Sequence, residues 1–432
     1  MVNSIMKPSG IEWIGDIPDS WNISRIKYHF IINNGYSFES SKYVDDGIRV
    51  IRISDVEDDS LYDEEKRFYP ISYLNLIGNA LLKPNDILIT LTGNLGRCYK
   101  VKETDGILGL NQRVGCIRAI TNAYNLDYFK RVLQCQKLRK EMELSANGSA
   151  QLNMSTEWLK NVSLPLPTLE VQQSIAKFLD EKCFEIDMLY SQIQDQIVIL
   201  ENYKKSVITE AVTKGLNRDV KMKDTKFQYW AQIPENWELK DVKYVFEIVK
   251  RIAGKEGYDV LSVTQKGLKV KDLSNNEGQL ANDYSNYQFV YPTDYVMNHM
   301  DLLTGWVDCS TMFGVTSPDY RVFRLRNKSE HNLDYFKFVL QSCYFNRIFY
   351  SLGAGVSNLG RWRLQTESFN NFLFPIPSKE EQDEIAEFLN KQCLEIDGII
   401  TDKQAQLETL AEYKKSLIYE YVTGKKQVKE NA

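Results

Sequence analysis

Residues 164–215 read LPLPTLEVQQSIAKFLDEKCFEIDMLYSQIQDQIVILENYKKSVITEAVTKG, and residues 374–424 read FPIPSKEEQDEIAEFLNKQCLEIDGIITDKQAQLETLAEYKKSLIYEYVTG. The two stretches stand 210 positions apart and stay in register. Gln172, Ile175, Ala176, Phe178 and Leu179 recur as Gln382, Ile385, Ala386, Phe388 and Leu389. Cys183-x-Glu185-Ile186-Asp187 recurs as Cys393-x-Glu395-Ile396-Asp397, and Tyr203-Lys204-Lys205-Ser206 as Tyr413-Lys414-Lys415-Ser416. In the first copy, apolar side chains fall three or four apart from Val171 and Ile175 through Leu179, Cys183, Ile186, Leu189, Ile193, Ile197, Leu200, Tyr203 and Val207 to Ala211. That is the period of one helix face. No Pro or Gly interrupts Thr168 to Lys214, and Gly215 supplies the stop. At about 1.5 Å per residue this is a helix of roughly 65–70 Å. The second copy keeps the stripe from Ile385 to Tyr421, with Lys403 in the slot of Ile193 and Ser378/Glu381 as a capping-box signature.

A helix this long cannot bury its stripe alone. The two copies are each other's natural mates, and the connectivity makes them antiparallel. The stripe, including Cys183 and Cys393, reads as core. Glu185, Asp187, Tyr203 and Lys204, with Glu395, Asp397, Tyr413 and Lys414, read either as a docking surface for partners or as a solvated helix face.

The repeat continues outside the helices. Ile17-Pro18-Asp19-Ser20-Trp21 answers Ile233-Pro234-Glu235-Asn236-Trp237. Asn125-Leu126-Asp127-Tyr128-Phe129 answers Asn332-Leu333-Asp334-Tyr335-Phe336, and Gly148–Leu152 answers Gly355–Leu359. Between these anchors the copies diverge. The order is head, helix, head, helix: segments 1–167, 168–215, 216–377 and 378–424, with a tail at 425–432. Each head reads as α+β. Strands are expected at Ile48–Ile53, Asp86–Leu91, Arg113–Arg118, Val260–Thr264 and Arg321–Arg326, and helices at Leu126–Leu144 and Leu333–Leu352. Two heads that share a frame and differ in their loops are suited to reading different targets.

Composition narrows the function. With 43% hydrophobic and 12% aromatic residues, the chain folds around real cores. No apolar run approaches a membrane span, and no signal-peptide pattern opens the chain, so a cytoplasmic location is expected. Seven widely spaced cysteines favour free thiols, and three histidines offer no zinc pattern. The net charge of −5 argues at first against DNA, but the acidity sits in the two helical segments while the heads are near neutral. No Pro-Pro pair exists for an amino-methyltransferase motif, and no P-loop is present. Asp19 with Glu64-Glu65-Lys66 matches a metal-nuclease pattern only loosely. A catalytic site and a cofactor of the chain's own are therefore not expected.

Readers of base edges are Arg, Lys, Asn and Gln on loops or strands. Head one offers Thr92-Gly93-Asn94-Leu95-Gly96-Arg97, where two glycines would let backbone approach phosphate and Arg97 would clamp, and then Gln112 and Arg113. Head two offers Lys266 and Lys269 within Gln265–Lys271, and Asn358, Arg361 and Arg363. Each of these is also readable as ordinary solvated surface.

The alternation of variable head and repeated helix resembles the specificity subunits of type I restriction–modification systems. The resemblance spans essentially the whole chain. It is carried by Trp13-Ile14-Gly15-Asp16-Ile17-Pro18-x-x-Trp21, the Gly148–Leu152 turn, the Leu-Pro-Leu-Pro-x-x-Glu170-x-Gln172 segment and the Tyr-Lys-Lys-Ser repeats. Head two departs from it, with Phe227–Ala231 in place of the opening and no counterpart of the Gly93–Arg97 loop.

The resemblance implies two target-recognition domains joined by two long antiparallel helices in a pseudo-twofold coiled coil. Each domain reads half of a split site in double-stranded DNA, and the helices set the gap. It implies two docked methyltransferase subunits that bring S-adenosylmethionine, and restriction subunits that bring ATP and Mg. A coiled-coil adaptor without DNA recognition, or an orphan specificity chain serving methylation only, would share the repeat.

Overall fold

The computed structural model describes residues 5–146, 148, 152–272, 283–354 and 363–428. The chain divides into two compact units: Met1–Ile193 with Ala405–Ala432, and Gln194–Gln404. Each unit thus takes one head together with a stretch of both long helices, Leu169–Lys214 and Lys379–Val422.

Each head is built on the same four-stranded antiparallel sheet. In unit 1 the order is Cys98–Lys100, Ile87–Thr90, Val114–Ala119, Phe30–Asn34. In unit 2 it is Val307–Cys309, Tyr295–Met297, Arg321–Leu325, Phe246–Val249. Unit 1 adds a three-stranded sheet of Leu108–Leu110, Ile48–Ile51 and Phe68–Tyr69 with its own core. Unit 2 adds a hairpin, Leu261–Thr264 with Gly267–Val270, and an antiparallel pair, Gln288–Val290 with Gly314–Thr316.

The repeated motifs have physical explanations. In Asn125-Leu-Asp-Tyr-Phe129, the Asn125 side chain caps the helix Leu126–Leu133 by accepting from the backbone of Asp127 and Tyr128. The Tyr128 hydroxyl donates to the Val422 carbonyl at 3.1 Å, and Phe129 stacks on Phe30. Asn332 caps Leu333–Phe345 in the same way, and the Tyr335 hydroxyl donates to Pro375 O at 2.9 Å. Gln172 is fully buried at the start of the first long helix. Its Oε1 accepts from Asn125 N (2.7 Å), and its Nε2 donates to Ala123 O and Pro167 O (both 2.9 Å). Gln382 repeats this with Asn332 N (2.9 Å) and Pro377 O (3.0 Å). A buried carboxamide with every group satisfied fastens each head to its helix and specifies one geometry.

Two expected helices are interrupted. Leu126–Leu144 breaks into Leu126–Leu133 and Gln136–Ser145 because Cys135 takes an extended backbone at the seam. Leu333–Leu352 breaks into Leu333–Phe345 and Ile348–Ser351, with Arg347 at φ +56°. Neither break contains Pro or Gly, so no local signal announces it.

The long helices pack antiparallel within each unit. In unit 1, Phe178 meets Tyr421 while Lys414 pairs with Asp187 at 2.6 Å. In unit 2, Lys204 pairs with Asp397 at 2.6 Å, and Lys403 donates to Gln196 at 2.6 Å, so the polar residue in the stripe finds a partner across the seam. The pair Asp187–Lys414 and the pair Asp397–Lys204 are the same contact shifted by the repeat. The stripe is not core throughout. Ile175, Leu179, Cys183 and Ile186 are buried against the head, and Ile385, Leu389 and Cys393 likewise. Leu189, Tyr203 and Ile399 are exposed, and Ile193, Ile197 and Leu200 only half-covered, because two helices alone cannot enclose a seam.

Candidate nucleic-acid interface

In unit 1 the strand ends and turns converge on an open cleft of about 510 Å³ lined by Asn34, Thr92, Gln112, Arg113, Asn153 and Ser155, with Leu91 and Met154 among the rest. Four separate segments form it. Asn34 ends the strand Phe30–Asn34. Gln112 and Arg113 sit in the turn before Val114–Ala119, which is held by Gln112 N to Tyr36 O (3.2 Å) and Val114 N to Asn111 O (3.0 Å). Met154 N donates to Leu91 O (2.8 Å) and Gly93 N to Leu152 O (3.0 Å), which brings Asn153 beside Thr92. The Thr92 hydroxyl donates to Asn153 Oδ1 at 3.2 Å, fixing that carboxamide. Ser155 caps the helix Thr156–Asn161 through Glu157 N.

Gln112 and Arg113 project into solvent, and the Arg113 guanidinium has no carboxylate partner among the described residues. Three carboxamides and an uncommitted guanidinium in one concavity are the groups that read base edges.

The Gly93–Arg97 loop has another character. Arg97 pairs with Glu57, and Thr90 Oγ1 donates to Asn94 O while accepting from Arg97 N (3.0 Å). A Cβ on Gly96 would lie 2.8 Å from Met142 Sδ, so this glycine serves close packing on the helix Gln136–Ser145 and not approach to phosphate. The Asn94 side chain is exposed.

In unit 2, Lys266 and Lys269 are exposed on the hairpin Leu261–Val270. Arg363 is exposed next to its bridge with Ala354, while Asn358 and Arg361 lie outside the described residues. The strand order supplies a counterpart of the Gly93–Arg97 loop after all: Asn298–Trp306 makes the same strand connection, longer and unrelated in sequence. Beside it, burial pushes the His299 imidazole down to about 3, with Arg321 and Arg363 adding to the shift, so the ring is neutral at physiological pH. Arg321 is buried, donates to Leu364 O at 3.1 Å and lies 4.6 Å from the Phe369 ring centre. Burial lowers it to about 10, which leaves it charged.

On the helices, Asp187, Lys204, Asp397 and Lys414 are engaged in the cross-helix pairs given above. Glu185 is paired with Lys182, Glu395 accepts from Gln392, and Tyr203 and Tyr413 are about half exposed. Apolar side chains also stand on the outer face, among them Phe184 and Leu394, which the stripe does not include. Phe184 is 65% exposed and its repeat Leu394 75%, and Leu189 is matched by Ile399. Leu189 and Ile399, by contrast, lie on the stripe and are left open.

All seven cysteines are free thiols, and burial pushes Cys98 and Cys116 up to about 12. Among the described residues, no group of His, Cys, Asp and Glu is arranged to hold a metal, and no helix is long and apolar enough to cross a membrane. Lys66 of the loose nuclease pattern is tied to Asp63 at 3.4 Å.

The family model described as "Type I restriction modification DNA specificity domain" matches the chain twice, over residues 18–197 and 234–409. The putative type I restriction enzyme MjaX specificity subunit of Methanocaldococcus jannaschii is 26% identical, with 96% of each chain covered. The MjaVIII specificity subunit of the same organism is 27% identical over 46% of this chain and 47% of its own length. The EcoBI specificity subunit of Escherichia coli is 25% identical over 85% of this chain and 78% of its own. Among solved structures, a chain from a study of complex assembly and conformational transition of the type I R-M system superposes with a TM-score of 0.67 at 11% identity. It covers 94% of this chain and 98% of that one. The HsdS subunit from Thermoanaerobacter tengcongensis gives 0.50 at 11% identity, covering 94% of this chain and 98% of that one.

Proposed function

From a chain that belongs to the family of type I restriction modification DNA specificity domains, we propose a two-headed reader of double-stranded DNA in which each unit recognises one half of a bipartite site. It is a specificity subunit, and the chemistry of modification belongs to other subunits of the complex. The observation that carries the reading is the duplication itself. Two units share a four-stranded sheet and one head-to-helix fastening, yet Gly93–Arg97 in unit 1 and Asn298–Trp306 in unit 2, which lie in the same strand connection, are unrelated in sequence.

Two methyltransferase subunits would dock on the long helices. Support comes from exposed apolar residues that recur with the repeat, Phe184 with Leu394, Leu189 with Ile399 and Tyr203 with Tyr413. A surface presented twice suits two copies of one partner. Those subunits would bind S-adenosylmethionine and flip the target adenine into their own pocket, and restriction subunits would bring ATP and Mg. Seven unpaired thiols fit a reducing cytoplasm.

The test is the methylome of a host carrying the partner methyltransferase, with and without this chain. The expected result is one split adenine-methylated motif that appears only when the chain is present. An unaltered methylome would refute the proposal and favour the adaptor reading.

A further inference from the structure

The two heads can be superimposed residue by residue through their hydrogen bonds, and two independent registers agree. In the sheet, Ile89 pairs with Gly115 in unit 1 and Met297 with Arg321 in unit 2, where the strand order is the same. Two residues after Ile89 comes Leu91, whose carbonyl accepts from Met154 N. Two residues after Met297 comes His299, whose carbonyl accepts from Leu364 N at 3.0 Å. Met154 and Leu364 are themselves 210 positions apart, the offset of the helical repeat. Each precedes a short helix, Thr156–Asn161 and Thr366–Asn370. The residue before each is therefore the same place in the fold: Asn153 in unit 1 and Arg363 in unit 2. Two residues before the paired Gly115 and Arg321 stand Arg113 and Asp319, both exposed.

Among the described residues Arg113, Arg363 and Asp319 are exposed and held by no opposite charge, and Asn153 is exposed and held by one hydrogen bond from Thr92. They are set on backbone that the sheet and a helix N-terminus fix. Their chemistry changes from unit to unit while their position does not. A carboxamide offers adenine a donor for N7 and an acceptor for N6. A guanidinium offers guanine two donors, and a carboxylate accepts from cytosine N4.

We propose that Asn153/Arg363 and Arg113/Asp319 are duplicated base-reading positions: Asn153 reads adenine and Arg113 guanine in the half-site of unit 1, while Arg363 reads guanine and Asp319 cytosine in that of unit 2. The Thr92 hydroxyl donates to one lone pair of Asn153 Oδ1 and leaves the other, with the Nδ2 donors, for the base. This rests on the bipartite reading of the chain and adds which residue reads which base.

The experiment is per-base specificity of the assembled complex, measured by methylation of a library of sites with the variants Asn153→Ala, Asn153→Arg and Arg363→Asn. Asn153→Ala is expected to lower discrimination at one adenine of the unit 1 half-site by roughly 5- to 150-fold. Asn153→Arg is expected to move the preference there to guanine, and Arg363→Asn to relax one guanine of the other half-site. In every case the second half-site stays as it was, which reports that fold and assembly are intact. If Asn153→Arg abolishes all methylation, Asn153→Ala decides, since it adds neither bulk nor charge. Unaltered discrimination at every base in Asn153→Ala and Arg363→Asn would overturn the proposal while leaving the bipartite reading in place. A library showing no motif dependent on the wild-type chain would instead refute that reading.

Discussion

Replacing Arg131 with alanine is expected to destabilise unit 1 by about 1–3 kcal/mol, the cost of losing its charged hydrogen bonds and its buried packing. Arg131 is 5% exposed and is the hub of unit 1. Its guanidinium pairs with Asp59 at 3.0 Å and with Asp180 on the first long helix at 2.6 Å, and it donates to Gln134 Oε1 at 2.7 Å. It therefore joins a loop, a head helix and a long helix at one point. Removing it leaves the half-buried Asp59 carboxylate with Lys130 as its remaining cation. Hydrogen exchange should show lost protection across residues 126–145, with unit 2 unaffected. Retained protection would show that the network contributes little.

The same network makes an acid signature. Burial pushes the Asp59 carboxyl up, but the charges of Arg131 and Lys130 outweigh it and hold the group below its ordinary 3.8. A carboxylate depressed in the folded state contributes stability that is fully present above its unfolded value. That contribution is lost as pH falls through the folded one. The difference between wild type and Arg131→Ala should therefore narrow below about pH 4, near the unfolded carboxylate value. Unit 2 solves the same junction differently. Asn390, the repeat of Asp180, donates to Asp334 at 2.9 Å, and Phe338 lies buried in its core.

A matched deletion of four residues from each long helix, 194–197 with 404–407, is expected to shorten the gap between half-sites by about one or two base pairs and to leave both half-sites unaltered. Both helices run without interruption through these positions. Four residues correspond to about 6 Å of helix, against about 3.4 Å per base pair along DNA. Removing the same turn from both copies keeps the stripe continuous, with Leu200 following Ile193 at helical spacing, and leaves the pairs Asp187–Lys414 and Lys204–Asp397 their partners. A deletion in one helix only would shift one pair against the other. Methylome sequencing reads the outcome directly. A changed half-site at constant gap would contradict the ruler.

How much of this was legible in the sequence depended on how local the cause was. The long helices were legible because a period of three or four, sustained over more than forty positions without Pro and with Gly398 alone in the second copy, has no other reading. The Asn-Leu-Asp-Tyr-Phe anchors were visible as repeats, although their work, a cap and a hydroxyl seeking a buried backbone carbonyl, needed the fold. The breaks at Cys135 and Arg347 left no trace, since tertiary packing imposes them on residues with adequate helix propensity. Asp187 and Lys414 were noticed as charged repeats, but nothing in a linear chain announces that residues 227 positions apart neutralise each other. The cleft was half seen. Gln112 and Arg113 were marked from residue type, whereas Asn34 and Asn153 join them only because two strand ends and a helix cap meet there. Arg97 had the right chemistry, and Glu57 had already claimed it.

Each unit is expected to read its own half of the site independently of the other. The most direct measurement is the methylome of a host expressing a chimera in which residues 1–167 are replaced by the corresponding head of another specificity chain. One half of the methylated motif should change to that of the donor, while the other half and the gap stay as they were. A chimera that methylates a motif altered in both halves, or one identical to the parent's, would contradict the account.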